Sequence, residues 1–261
     1  MLIVLFYLGV HKPDWLDSPA FAGQPLFVSR RRLFDRKTFP RAIMRWALDS
    51  GGFTELSLHG RWTLSAVDYV ADVRRFMREV GRLDWAAPQD WMCEPEMLKK
   101  TGLSIAEHQR RTVDNYLRLR DLAPDVPFVP VLQGFKMADY WRCQDIYEAA
   151  GVDLASLPLV GVGTLCRRQA TDEAQRVLAT LSGSGLKLHG FGFKVQGLRR
   201  CWNMLTSADS MAWSYHARRR PPLPGHDLPG EGRRTGHKNC ANCADFALGW
   251  VRNMIDGRAE A

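Results

Sequence analysis

Apolar positions along this chain fall into two alternating rhythms. Leu2 to Val10 is a continuous apolar run, the pattern of a strand buried on both faces, and Gly9 to Pro13 ends it. A loop with Pro13, Pro19 and Pro25 leads to a second run, Leu26 to Ser29, and Ala42 to Leu48 forms a third that delivers Asp49. The period then changes. Val67, Val70, Val73, Phe76, Met77 and Val80 recur at helical spacing behind a Ser65/Asp68 capping pair, and Ser104 with Glu107 opens a second amphipathic helix carrying Val113, Tyr116 and Leu117. Further strands are predicted over Leu83–Ala87, Phe128–Leu132, Leu159–Val162, Leu186–Phe193 and Met204–Ala208. Helices are predicted over Met137–Ala150 and from Thr171 through Leu181.

Eight apolar runs, most followed by a helix, predict a (β/α)8 TIM-type barrel, with a doubly wound open sheet as the structural alternative. Either fold binds ligands beyond the carboxyl ends of its parallel strands. Asp49, Asp90, Gln133, Gly163, Gly192 and Asp209 all fall there. After Asp209 the pattern breaks: Arg218 to Gly225 is rich in arginine and proline, a polar glycine-rich stretch runs to Gly236, and a terminal helix is expected over about Ala241 to Ile255. The expected division is a catalytic barrel over 1–215 and, over 216–261, a basic loop with a metal site and a helix packed on the barrel.

Composition narrows the partners. The 261 residues are 46% hydrophobic, enough for one large core, and 36 Lys and Arg against 28 Asp and Glu leave a formal charge of +8. Arginines cluster at Arg30 to Arg32, Arg167-Arg168, Arg199-Arg200, Arg218 to Arg220 and Arg233-Arg234, and guanidinium groups fork onto phosphates, so a nucleic-acid partner is expected. The opening apolar run lacks a basic n-region, and no run approaches the length of a membrane span, so a soluble cytoplasmic protein is expected. Six scattered cysteines make no disulfide framework. Only Cys240 and Cys243 are closely spaced.

Two features carry chemistry. Asp49 and Asp209, at the ends of different strands, supply the two carboxylates that a retaining glycosyl exchange uses, one as nucleophile and one to handle the proton. Each also has a plain reading as a strand-end cap, and Asp49-Ser50-Gly51-Gly52-Phe53 reads equally as a turn. Cys240-x-x-Cys243 with His237 three residues earlier offers soft and imidazole ligands to a structural Zn²⁺. His226, in the same loop, is the expected fourth ligand, with His216 and Cys201 in reserve; free thiols or a redox pair are the alternative. The other cysteines are expected to be core residues. Phe53, Trp91 and Trp213 are candidates for stacking on a base.

Asp49 to Phe53 resembles the DSGGF signature of the tRNA-guanine transglycosylase superfamily. Pro130 to Gly134 resembles its strand ending in VQG, Val160 to Gly163 its glycine-containing base-binding strand, and Leu188 to Gly192 its LMGVG strand. Gln89 to Pro95, Ser207 to Trp213 and His237 to Cys243 bring the chain nearest to the deazapurine DNA modification branch, the DpdA family. The resemblance implies a barrel enzyme that exchanges guanine in nucleic acid for a free 7-deazaguanine base such as preQ0, in DNA for this branch, with accessory modification proteins as possible partners. It implies Asp49 as general acid/base, Ser50 and Gly51 as pocket lining, Asp90, Gln133 and the Gly163 backbone as contacts to the base, and Asp209 as nucleophile. The tRNA enzymes carry two aspartates three residues apart in the last motif and use the second; here Asp209 stands at the first position and Ala212 at the second. Exchange in tRNA, a catalytically silent zinc-stabilised nucleic-acid-binding protein and an unrelated barrel hydrolase are the alternatives.

Overall fold

Strands β1 (Leu5–Val10), β2 (Leu26–Ser29), β3 (Trp46–Asp49), β4 (Leu83–Ala86), β5 (Val131–Leu132), β6 (Val160–Val162), β7 (Leu188–Gly190) and β8 (Ser207–Ser210) form a single parallel sheet in a computed structural model that describes residues 4–227, 236 and 238–256. Their order is 4-3-2-1-8-7-6-5. The edges of the sheet meet at an isolated parallel bridge between Ala86 of β4 and Phe128, just before β5, where the Ala86 amide donates to Pro127 O at 3.0 Å and the Val129 amide donates to Ala86 O at 3.2 Å. An α/β fold with an eight-stranded parallel sheet curled until its edges touch is consistent with a TIM-like barrel.

The period-2 geometry of each strand sorts its side chains into two cores. Tyr7, Phe27, Ala47, Trp85, Val129 and Leu159 point to the concave side and form one buried cluster. Register places Phe27 beside Ala47 and Ala47 beside Trp85, so these residues make one layer. The alternate residues Phe6, Leu8, Leu26, Val28, Trp46, Leu48, Val160 and Leu188 belong to the larger cluster shared with the helices. One end of the concave core is closed by Tyr7, whose hydroxyl donates to Asp84 Oδ2 at 2.8 Å, with Arg45 Nε donating to the same oxygen at 2.5 Å.

Helices follow most of the strands. α1 (Gly52–His59) and α2 (Ala66–Glu79) lie between β3 and β4, α3 (Pro95–Thr101) and α4 (Ile105–Leu122) before β5, α5 (Met137–Ala149) before β6, α6 (Asp172–Gly183) before β7, and α7 (Val195–Cys201) before β8. α8 (Ala212–Ala217) and α9 (Ala244–Asp256) come last. The β1–β2 connection holds only short 3-10 turns, at Pro13–Leu16 and Pro19–Phe21. Outer-face cover for β1 comes instead from α9, whose Trp250 ring lies 6.1 Å from that of Phe6 and whose Ala247, Val251 and Met254 enter the main core.

Several expected boundaries shift. The third strand starts at Trp46, not Ala42, and the seventh stops at Gly190, with Gly192 in the left-handed region at φ 65°. The eighth starts at Ser207 because Trp202–Met204 forms a 3-10 turn, and the last helix starts at Ala244 because Cys240 to Cys243 is a turn closed by a 3.1 Å bond from the Cys243 amide to Cys240 O. α1, α3 and α8 are short helices without a sequence period long enough to announce them.

α4 links the scaffold to the concave end of the sheet, since its buried Gln109 and Thr112 hold backbone there. Its start depends on Ser104, whose hydroxyl accepts the Glu107 amide at 3.2 Å. Ser104→Ala is expected to destabilise the fold by about 1 kcal/mol, read as a lower denaturant midpoint at unchanged slope. An unchanged midpoint would show that this cap carries no net stability.

Candidate active site

The carboxyl ends of the strands open onto a cavity of about 740 Å³. Asp49, Phe53, Asp90, Gln133, Gly163, Gly192 and Asp209 all line it, and so do Glu94, Thr164, Cys166, His11, Arg31 and Arg32. Ser50 and Gly51 lie behind this lining. Ser50 is buried, and Gly51 takes φ 83° with its α-carbon against Arg31, where an added Cβ would meet Arg31 Cγ at 2.9 Å. That left-handed residue turns the chain from β3 into α1 and sets Gly52 against Trp62 and Asp90.

One side of the cavity is a chain of hydrogen bonds across three strand ends. Gln133 Nε2 donates to Asp90 Oδ2 at 2.5 Å, and Thr164 Oγ1 donates to Gln133 Oε1 at 2.6 Å. Thr164 in turn accepts the Cys93 amide at 2.8 Å. The Gln133 backbone is fixed from behind by Gln109 Nε2, which donates to Gln133 O at 2.7 Å. Gly163 must lack a side chain because a Cβ there would overlap the Gln133 amide group. Thr164, a β-branched residue at φ 58°, sits in a sparsely populated conformation that costs about 1–3 kcal/mol and is held by these bonds.

Across the cavity, Asp209 stands on β8 and is nearly buried. Its Oδ1 accepts the Gly192 amide at 3.0 Å and lies 3.3 Å from His189 Nε2. His189 Nδ1 lies 2.8 Å from Ser207 Oγ, and the fully buried ring packs against Trp85 and Phe191 at centroid distances of 4.6 and 4.7 Å. A neutral imidazole satisfies both contacts, donating from Nε2 to Asp209 and accepting at Nδ1 from the Ser207 hydroxyl. Ala212, the counterpart of the second aspartate of the tRNA enzymes, opens α8 and does not line the cavity.

Electrostatics distinguishes the carboxyl groups. Burial pushes the Asp49 carboxyl up, opposed by hydrogen bonds from the Ser29 hydroxyl and Gly51 amide, and the nearby Asp209 charge pushes it further. Burial raises Asp90 to about 7, against the Gln133 hydrogen bond, with Asp49 adding repulsion. Glu94 is also raised, chiefly by burial.

The loop after α8 forms a second cluster. His226 Nδ1 lies 3.6 Å from Cys240 Sγ and 3.4 Å from Cys243 Sγ, and all three ligand atoms fall within 4.8 Å of one another. Tetrahedral Zn²⁺ with ordinary bond lengths separates sulfur and nitrogen ligands by about 3.5 Å, so these residues fit such an ion. Asp245 Oδ2, 3.5 Å from His226 Nε2, is placed to orient the imidazole. His237 lies outside the described residues. The reserve ligands are elsewhere: Cys201 is in the main core, and His216 packs on Trp250, whose Nε1 donates to its Nδ1.

A family model described as DpdA, DeoxyPurine in DNA protein A, matches residues 3–260. The chain belongs to the DpdA family. Membership places it in the deazapurine modification of DNA, with DNA as substrate. A comparison with curated proteins found no match. No helix among the described residues is long and apolar enough to cross a membrane.

Other expectations for this DpdA-family chain need correction. Trp213 cannot stack on a base, because it is fully buried, stacked on Trp15 and hydrogen-bonded through Nε1 to Gly9 O. Trp91 is covered by Arg111 and does not line the cavity, whereas Phe53 lies on its rim beneath Arg167. Arg30 is buried against Asp72, so it is no phosphate ligand. Of the cysteines outside the loop, Cys93, Cys143 and Cys201 are buried, while Cys166 is half-exposed in the cavity wall. His189, Glu94 and Thr164 were missed as site residues. The signal for His189 was an imidazole between Leu188 and Gly190 inside a predicted strand.

Asp90 has a folded-state pKa above its unfolded value, so the native state binds its proton more tightly. Its contribution to stability is therefore present at pH 4 and is lost as pH rises through about 7. Asp90→Asn is expected to remove that decline and to be the more stable protein at pH 8 by about 1–3 kcal/mol. Denaturation midpoints at pH 5 and pH 8 check this, and parallel pH profiles for the two proteins would contradict it.

Proposed function

We propose that this chain exchanges guanine in DNA for a 7-deazaguanine such as preQ0 through a covalent aspartyl-deoxyribosyl intermediate. The observation that carries the reading is the joint presence of Asp49, Asp209 and the Asp90–Gln133–Thr164 chain around one cavity. In this reading residues 1–215 are the catalytic barrel, and 216–261 are the metal loop and a helix packed upon it. A guanine paired in duplex cannot reach a cavity at a barrel mouth, so it enters flipped or from unpaired strand.

Asp209 is the nucleophile. Gly192 and His189 hold Oδ1, which leaves Oδ2 to attack C1′ of the deoxyribose. The electron pair of the C1′–N9 bond leaves with guanine, which takes its proton from Asp49, whose raised affinity suits a carboxyl that arrives protonated. The incoming deazaguanine attacks C1′ through N9 and returns a proton to Asp49 as the aspartyl ester opens. Asp90 and Gln133 read the base edge: the Gln133 amide has a fixed orientation, and a carboxyl near neutrality in pKa can serve as donor or acceptor. Ser50 and Gly51 shape the turn that holds Asp49, Phe53 covers the base at the rim, Gly163 yields its side-chain space to the base-reading Gln133, and the Gly192 amide holds Asp209.

Nucleoside mass spectrometry of DNA, with labelled deazaguanine supplied, tests the exchange. Asp209→Asn and Asp49→Asn are each expected to lower incorporation by at least about 10³-fold. Modified DNA persisting in Asp209→Asn would remove the covalent role. Incorporation into tRNA alone would transfer the reading to RNA, and incorporation into neither would leave a zinc-stabilised binding protein or a barrel hydrolase.

The loop ion in this proposal is Zn²⁺, held by His226, Cys240, Cys243 and His237, and it supplies structural cross-linking only. Purified protein is expected to carry one zinc per chain by elemental analysis, and Cys243→Ser to lose both the zinc and several degrees of thermal stability. A zinc-free wild type of unchanged stability would refute the structural ion.

A further inference from the structure

Three arginines follow β2 in succession, and the structure treats them differently. Arg30 is buried with its guanidinium 2.6 Å from Asp72. Arg31 faces Glu55 at 3.6 Å. Arg32 stands exposed on the cavity lining, and among the described residues no carboxylate pairs with it. Instead its Nη2 donates to His11 Nδ1 at 3.3 Å. Because Nδ1 accepts, His11 carries its proton on Nε2 and donates to Ser214 Oγ at 3.0 Å, and Ser214 donates to Ala241 O at 2.9 Å. That chain of bonds, running back into the turn between Cys240 and Cys243, orients the Arg32 head group from behind.

A second cation acts on His11. Arg218, at the end of α8, carries no ion pair among the described residues, and its charge reaches His11. Burial, Arg32 and Arg218 together depress the proton affinity of the imidazole, so His11 stays neutral and remains an acceptor for Arg32. An arginine on a cavity lining without a carboxylate partner creates a positive potential that an anion relieves. The strand order says where that anion lies relative to the substrate. β1, which delivers His11, is the neighbour of β8 and Asp209, and β2, which delivers Arg32, is the next strand beyond β1, while Asp90, Gln133 and Thr164 follow β4, β5 and β6 across the sheet. A nucleoside with its base on the latter side and C1′ toward Asp209 leaves its phosphate on the His11–Arg32 side.

We propose that Arg32, oriented by His11, binds the DNA phosphodiester flanking the nucleotide drawn into the cavity. This rests on the reading of the cavity as a DNA nucleotide site. The test is the salt dependence of binding of a labelled single-stranded deoxyoligonucleotide to the full chain. Arg32→Gln is expected to weaken binding and to reduce the slope of log K against log salt by about 0.7, the loss of one single-strand phosphate contact. Arg32→Lys is expected to keep most of the slope. Arg78→Gln, at the far end of α2, removes an equal charge away from the cavity and is expected to leave it unchanged. Arg32 is exposed, so its variants should retain the wild-type unfolding midpoint. A wild-type slope in Arg32→Gln, or an equal loss in Arg78→Gln, overturns the phosphate site while leaving base exchange standing. A wild type that does not bind the oligonucleotide at low salt overturns both.

Discussion

Four carboxyl groups, Asp49, Asp90, Glu94 and Asp209, share one cavity, and much of the surrounding structure answers to the cost of keeping them there. Removing several like charges from water at close quarters is unfavourable, so each must be protonated, hydrogen-bonded or placed near a cation. The protein uses all three responses. Asp90 is raised to about 7 and tied to Gln133; Asp49 is raised and tied to Ser29 and Gly51; Glu94 feels Arg167 and Arg168; and Asp209 takes the Gly192 amide. Burial thus raises the proton affinity of Asp49, Asp90 and Glu94, and in the proposed exchange that of Asp49 suits the transfer of a proton to the departing base.

These responses need rigid backbone, and the fold supplies it from a distance. Gln133 can span Asp90 and Thr164 only because Gln109 on α4 holds its carbonyl and Gly163 yields the space. Thr164 keeps an unfavourable φ because bonds from two directions fix it. Below, the layer of Tyr7, Phe27, Trp85 and His189 fills the concave core, so the cavity has a packed floor. The loop after α8 is coupled to the same mouth through Ala241, Ser214 and His11, so the turn that carries Cys240 and Cys243 and the cavity rim are parts of one hydrogen-bonded unit.

Much of this was legible in the residue order. Continuous apolar runs and helical periods located the eight strands and the long helices α2, α4, α5 and α6, and the caps at Ser65, Ser104 and Thr171 occur as expected. Strand ends are where polar residues break an apolar run, so Asp49, Asp90, Gln133 and Asp209 stand out as site candidates in the residue order alone. Boundaries were less legible at β3, β7 and β8, because glycines and 3-10 turns shorten strands without changing the apolar pattern.

The alternation of strand and helix, the polar residues at the strand ends and the Cys-x-x-Cys pair are written in the residue order, because each depends on neighbours a few positions away. Only the tertiary structure decided which of them face one another. That His189 lies under Asp209, that Trp213 is walled into the core, and that Arg30 and Arg31 are neutralised while Arg32 is not, all depend on partners from 20 to more than 200 positions distant. Charge and burial are properties of the packed neighbourhood, and one residue's neighbourhood is assembled from strands whose order in space differs from their order in the chain.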